Sequence, residues 1–198
     1  MPVRGRPPIG DPDGRIADAV MERFWRHGYV GTGIGDLAAA SGAARGSLYK
    51  LFGDKAGALA AGLDRYAARY AARVDAILAD CADPAEAVRS SLAASVARLT
   101  DPDAPPGCLR CRATMEVGGL YPVVDAALGR AHAAFEADTA RLLRAGGRPD
   151  GPEIAALASF LAVVTNGLVT MAEAGRGRAA LQSAADEAAA HVESRLAR

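Results

Sequence analysis

Aromatic side chains are scarce in this sequence, at 5%, while hydrophobic residues reach 51% with alanine a large share of them. A β-sandwich needs branched and aromatic residues, whereas small apolar side chains suit closely packed helices. No stretch alternates strictly between apolar and polar residues, so no strand is expected. The cysteines are three, Cys81, Cys108 and Cys111, too few and too unevenly spaced for a secreted disulfide framework. No apolar run of signal-peptide length opens the sequence, and a cytoplasmic protein is expected. No acid–base pair, nucleophile–histidine set or phosphate loop stands at diagnostic spacing, so an enzyme is not expected, and no catalytic residue or cofactor is assigned. His27, His132 and His191 are scattered and give the cysteines no fourth ligand, so no metal is assigned either.

Charge of one sign is also missing in bulk, the formal net being zero. The distribution is uneven: residues 1–55 hold eight basic against six acidic side chains, and residues 56–198 hold fifteen against seventeen. A basic head on a mildly acidic body has the sign that a nucleic-acid partner requires. Between Glu153 and Glu173 charge is absent altogether. The run is long enough to cross a bilayer, but Ser159, Thr165, Asn166, Gly167 and Thr170 interrupt it. A helix apolar all round also serves when one face meets its own core and the other a partner subunit, which is the reading adopted here, with no membrane.

What is present is helical periodicity throughout. The glycine- and proline-rich opening, MPVRGRPPIG, carries Arg4 and Arg6 and reads either as a solubilising tail or as an arm for the minor groove of DNA. Helices are expected from Asp11–Asp13 to His27, from Thr32 or Gly33 through Ala40, from about Ala44 to Phe52, and from Asp54 to near Cys81. A fifth follows from Asp83-Pro84 to Thr100, then a proline-rich loop at 101–107, then helices near 108–118, 122–145, 152–174 and 177–197.

Within residues 16–59, two short helices joined by Ser41-Gly42-Ala43 have the lengths and turn chemistry of a helix-turn-helix. In the second of them, Leu48 and Phe52 face inward onto Phe24, Ile34 and Leu37, leaving Arg45, Ser47, Tyr49 and Lys50 outward. Arg45 forks onto guanine, Ser47 reaches base or phosphate, and Tyr49 and Lys50 reach backbone or base. Gly46 permits close approach, and Lys55 beside the first amides of the fourth helix suits a phosphate.

Phe24, Gly28-Tyr29, Thr32, Leu37-Ala38, Gly42, Gly46-Ser47-Leu48-Tyr49, Phe52, Lys55 and Leu59 stand in the order and spacing of the TetR family of bacterial transcription regulators, which the sequence resembles. The resemblance implies an all-α protein with a three-helix DNA-binding head at 1–55, in which Thr32 also meets DNA. It implies a larger ligand-sensing and dimerisation body at 56–198, and repression relieved by a small molecule. A homodimer joined through its last two helices then reads a near-palindromic double-stranded operator. The sequence departs from the pattern at Gly33, Ala44 and Leu51, where a serine, a capping serine and a histidine are common. A lost cap costs about 1 kcal/mol.

PGCLRCRATMEVGGLYPVV, at 106–124, resembles a stretch of some branches of the family and places the sixth helix at the border of a sensing cavity. Met115, Leu120, Phe135, Phe160, Val164 and Met171 are candidates for its apolar lining, with Glu116, His132 and Asn166 as its polar contacts. Cys108 and Cys111 admit two readings, a thiol switch at a helix N-terminus flanked by Arg110 and Arg112, or small buried apolar residues.

Overall fold

In the computed structural model, residues 14–197 are described, and all regular structure among them is helical. The order is α1 (Arg15–His27), α2 (Ile34–Ser41), α3 (Arg45–Phe52), α4 (Lys55–Asp80), α5 (Pro84–Leu99), α6 (Leu109–Val117), α7 (Pro122–Leu143), a 3₁₀ turn (Ala145–Gly147), α8 (Pro152–Glu173) and α9 (Arg178–Leu196). These bounds lie within two residues of the expected ones; the expected start at Asp11–Asp13 falls outside the described residues.

Local chemistry explains the starts. The Asp54 carboxylate accepts from the Gly57 amide at 2.8 Å and opens α4, and Asp83 does the same for α5 through Glu86 at 2.8 Å. Proline occupies the first turn of α5, α7 and α8, where its missing N–H costs nothing. Ala44 opens α3 without any side-chain cap. Gly42 supplies the left-handed turn of the helix-turn-helix, with φ 67°.

Two hydrophobic cores are stacked along α4. The first gathers Val20, Met21 and Phe24 of α1, Leu37 of α2, Leu48 of α3 and Leu59 and Leu63 of α4, and it extends to α6 and the start of α7. The second gathers Val74 of α4 with α5, the end of α7, α8 and α9. Close approach of α1 to α4 depends on Gly62, where a Cβ would sit 3.3 Å from the Met21 Cα.

Pro152–Glu173 is long and apolar enough to cross a membrane by length and composition, yet a third of its most apolar window is buried within the protein. Val163 remains 71% exposed on it.

An ion pair clamps α1 to α4: Arg65 donates to both carboxylate oxygens of Asp18, at 2.8 and 2.7 Å. That hydrogen bonding, with the charges of Arg65 and Arg69, holds the Asp18 carboxyl below its ordinary value of 3.8. A carboxyl lowered on folding stabilises the protein above its unfolded value, and the contribution fades as pH falls through the folded value. Asp18→Asn is therefore expected to lower the urea midpoint at neutral pH, with the deficit against wild type shrinking below about pH 4; a deficit independent of pH would contradict this origin.

Candidate nucleic-acid interface and the cavity behind it

The third helix is pinned by one face. Leu48 is buried and Phe52 half-buried against the first core, as the spacing predicts. On the other face Arg45, Gly46 and Lys50 are exposed, Tyr49 is 52% exposed and Ser47 is half-buried. The Arg45 guanidinium lies back over α2, so that a Cβ added at Gly35 would come within 2.8 Å of its Nη2. Nothing lies within 4 Å of a Cβ at Gly46, which leaves that position open to an approaching surface.

Two residues expected at this interface lie in, or are tied to, the turn between α1 and α2. Thr32 is 1% exposed, and its hydroxyl is buried without a hydrogen-bond partner, because the turn between α1 and α2 folds it under the head. Lys55 donates to the Tyr29 carbonyl at 3.0 Å and stands 4.0 Å above the Tyr29 ring, fastening the start of α4 to that same turn. An ammonium has three donors, so two remain. Arg4 and Arg6 lie outside the described residues.

Behind the head runs α6. Glu116, expected among ligand contacts, instead accepts from the backbone N–H groups of Tyr29 at 2.6 Å and Val30 at 3.2 Å. Gly28, at φ 72°, makes room: a Cβ there would meet the Glu116 carboxylate at 2.2 Å. Neighbouring bonds reinforce the tie. Arg112 donates to the Arg26 carbonyl at 3.2 Å, Arg26 to the Asp103 carbonyl at 3.0 Å, and the Trp25 indole to the Gly107 carbonyl at 3.3 Å.

At its other end α6 borders a cavity of about 40 Å³ enclosed by α4, α5, α7 and α8. Of the expected lining, Phe135 and Asn166 are on its wall. Met115 and Leu120 are not: they are 87% and 64% exposed, the first on the outer face of α6 and the second in the turn that follows it. His132 is exposed on α7 beside it; partial burial and then the charge of Arg110 lower its pKa. Phe160 packs with His191 in the second core, ring centroids 5.0 Å apart, and Val164 lies against that core as well. Met171 is exposed.

The wall also holds Tyr66 and Tyr70 of α4, which are not among the lining residues expected from the sequence. A buried tyrosine seeks a partner for its hydroxyl, and that was the available signal. Tyr66 finds it in Cys108, donating to Sγ at 3.3 Å. Cys111 donates to Asn166 Oδ1 at 3.4 Å, and Arg110, 4% exposed, reaches the same oxygen at 3.1 Å. Hydrogen bonding from Cys111, then the Arg110 charge and the Tyr66 hydroxyl, hold the Cys108 thiol well below its ordinary range against the opposing cost of burial. The same sharing, with burial, pushes Cys111 up. Among the described residues no cluster of histidine, cysteine or carboxylate side chains could hold a metal.

Removing the Glu116 carboxylate strands a half-buried amide. Glu116→Ala is expected to destabilise the protein by about 1–3 kcal/mol and to speed hydrogen exchange at the Tyr29 and Val30 amides. Unchanged exchange at both would mean that the tie is not made in solution.

A family model described as bacterial regulatory proteins of the tetR family matches residues 16–61. The HTH-type transcriptional repressor ComR of Escherichia coli (strain K12) is 40% identical over 106 residues, which are 53% of this chain and 50% of that protein. The match spans about half the length of that relative. Among solved structures, a cysteine-substituted form of the TetR family transcriptional regulator CifR, complexed with 26-base-pair double-strand operator DNA, superposes with a TM-score of 0.76 at 27% identity, covering 93% of this chain and 98% of that one. The reduced form of E. coli NemR shares the fold, with a TM-score of 0.75 at 20% identity over 93% of this chain and 97% of its own. The head thus carries the motif of the TetR family over residues 16–61, and the whole helical chain shares the fold of regulators of that family.

Proposed function

We propose that the protein is a sequence-specific DNA-binding transcription regulator, not an enzyme, acting in the cytoplasm as a repressor that a small-molecule effector releases. The observation that carries this reading is the free face of α3, where Arg45, Tyr49 and Lys50 stand exposed on a helix anchored from behind by Leu48. A major groove admits one such helix, and side chains near its N-terminus reach the base edges. ComR is named a repressor and CifR is bound to operator DNA, which supports the same role here. In this reading residues 1–55 are the DNA head and residues 56–198 the sensing and dimerisation body.

A homodimer follows from the same argument. The apolar α8 leaves Val163 and Met171 exposed, and a Cβ at Gly167 would meet nothing within 4 Å, so a second copy can approach α8 and α9 closely. Two heads then stand about one DNA turn apart, ~34–36 Å, and read a near-palindromic operator. An effector entering the cavity displaces α4 and α6, the two helices that join it to the head, and changes that separation.

The test is binding of the purified protein to DNA flanking its own coding region across a salt series, beside the Arg45→Ala, Tyr49→Phe double variant. A dimer-sized footprint is expected, with affinity falling as salt rises and the double variant weakened about tenfold or more. Failure to select any sequence, from flanking DNA or from a random pool, would overturn the regulator reading.

A second reading, a thiol-based regulator on the same scaffold, is favoured by the setting of Cys108, whose low-pKa sulfur accepts from Tyr66 and stands three residues from Cys111 at the start of α6. With a peroxide as oxidant, the Cys108 thiolate displaces the distal oxygen and becomes a sulfenic acid. The Cys111 thiol then closes the disulfide, so two thiols and one hydrogen peroxide yield one disulfide and two waters. Under this reading peroxide weakens operator binding by wild type but not by Cys108→Ser or Cys111→Ser. An equal response in all three would remove it.

A further inference from the structure

We propose that the cavity behind α6 binds a compact organic carboxylate, and that Arg110 is the residue that takes its charged group. This names the chemical class of the effector proposed above and rests on that reading only for its consequence at DNA.

The wall is cationic without being acidic. Arg73, Arg98 and Arg110 all border the cavity, and no aspartate or glutamate is among the described residues lining it. Arg98 is occupied, donating to the Gly107 carbonyl at 2.9 Å and lying over the Trp25 ring. Arg73 lies over the ring of Tyr70. Arg110 is the unusual one. It is 4% exposed, no carboxylate among the described residues lies within ion-pair distance of it, and its Nε is buried with no hydrogen-bond partner among them. Its guanidinium lies 4.1 Å from the centroid of the Phe135 ring, and its one side-chain partner is the neutral oxygen of Asn166.

A buried guanidinium is tolerated when its charge is paired and its donors are used. The Cys108 thiol, on the same wall, is a single soft acceptor that cannot fill a planar fork. Two carboxylate oxygens match that fork, and the vacant Nε is one of its prongs. The rest of the wall sets the body of the ligand: Tyr66, Tyr70, Phe135, Leu99 and Val169 are aromatic or aliphatic. The volume, about 40 Å³, limits it to a few heavy atoms unless helices part. Larger members of the class must therefore push on α6, whose far end is tied through Glu116 to the head.

The chain has one tryptophan, Trp25, and it reports on this wall because its ring meets Tyr66 edge-on at 4.8 Å. The experiment titrates DNA-free protein at constant ionic strength with acetate, isobutyrate and benzoate, and with neutral benzamide, following Trp25 emission and melting temperature. A saturable response to at least one carboxylate is expected, with benzamide about tenfold weaker than benzoate or more. Arg110→Gln should abolish the response. Arg110→Lys, which keeps the charge in case the glutamine variant fails to fold, should weaken it, because the fork is lost. Equal binding of benzamide, wild-type affinity in either variant, or no saturable response to any of the three carboxylates would overturn the proposal. Because no DNA is present, each of these results is independent of whether the head binds an operator.

Discussion

One continuous helix must satisfy two cores at once, and the rest of the molecule is arranged around that constraint. Over its 26 residues, about 39 Å at the usual rise, α4 buries Leu59 and Leu63 among the helices of the head and Val74 among those of the body. Its N-terminus is fixed by the Asp54 cap and by Lys55 on Tyr29, and its middle by the Arg65 clamp on Asp18. A rigid rod held in this way transmits a tilt, because neither core can repack without cost while the other stays in place. The head is therefore not a module hung on a loose linker.

The second connection is shorter and polar. Cys108 and Arg110, at the N-terminal end of α6, border the cavity, while Glu116 near its other end holds the backbone of the turn that precedes α2. The two ends differ in what they tolerate. The Glu116 end is satisfied, a carboxylate accepting from two amides, whereas Arg110 has a buried nitrogen that no group answers. In the proposal above, a ligand that fills the poor end acts on the good one through the same short helix.

Several features were legible before any coordinates. The helix bounds followed from period and from caps, with Asp54 and Asp83 opening α4 and α5 as their positions suggest. The inward pair Leu48 and Phe52 and the outward Arg45, Tyr49 and Lys50 followed from a 3.6-residue repeat over only eight residues. Legibility failed where a side chain's role depends on what comes to meet it from elsewhere in the chain. Thr32 and Glu116 are polar residues that a one-dimensional reading sends outward or into a pocket, yet the first is buried in a turn and the second binds a backbone 86 and 87 positions away. Tyr66 and Tyr70, spaced as any helical pair on α4, prove to be cavity wall.

By itself, then, the sequence determined the helical class, the element order, the helix-turn-helix and the exposed face of its second helix. All of these rest on spacing, capping and turn chemistry, which act over one to four residues and can be read along the chain. Only the tertiary structure decided that Arg110 and Asn166 meet, that Cys108 lies against Tyr66, and that α6 bridges cavity to head. The reason is that such contacts join residues 42 to 87 positions apart. Hydrophobic packing chooses among many arrangements of the same amphipathic helices, and only the arrangement chosen fixes which polar side chains it buries face to face.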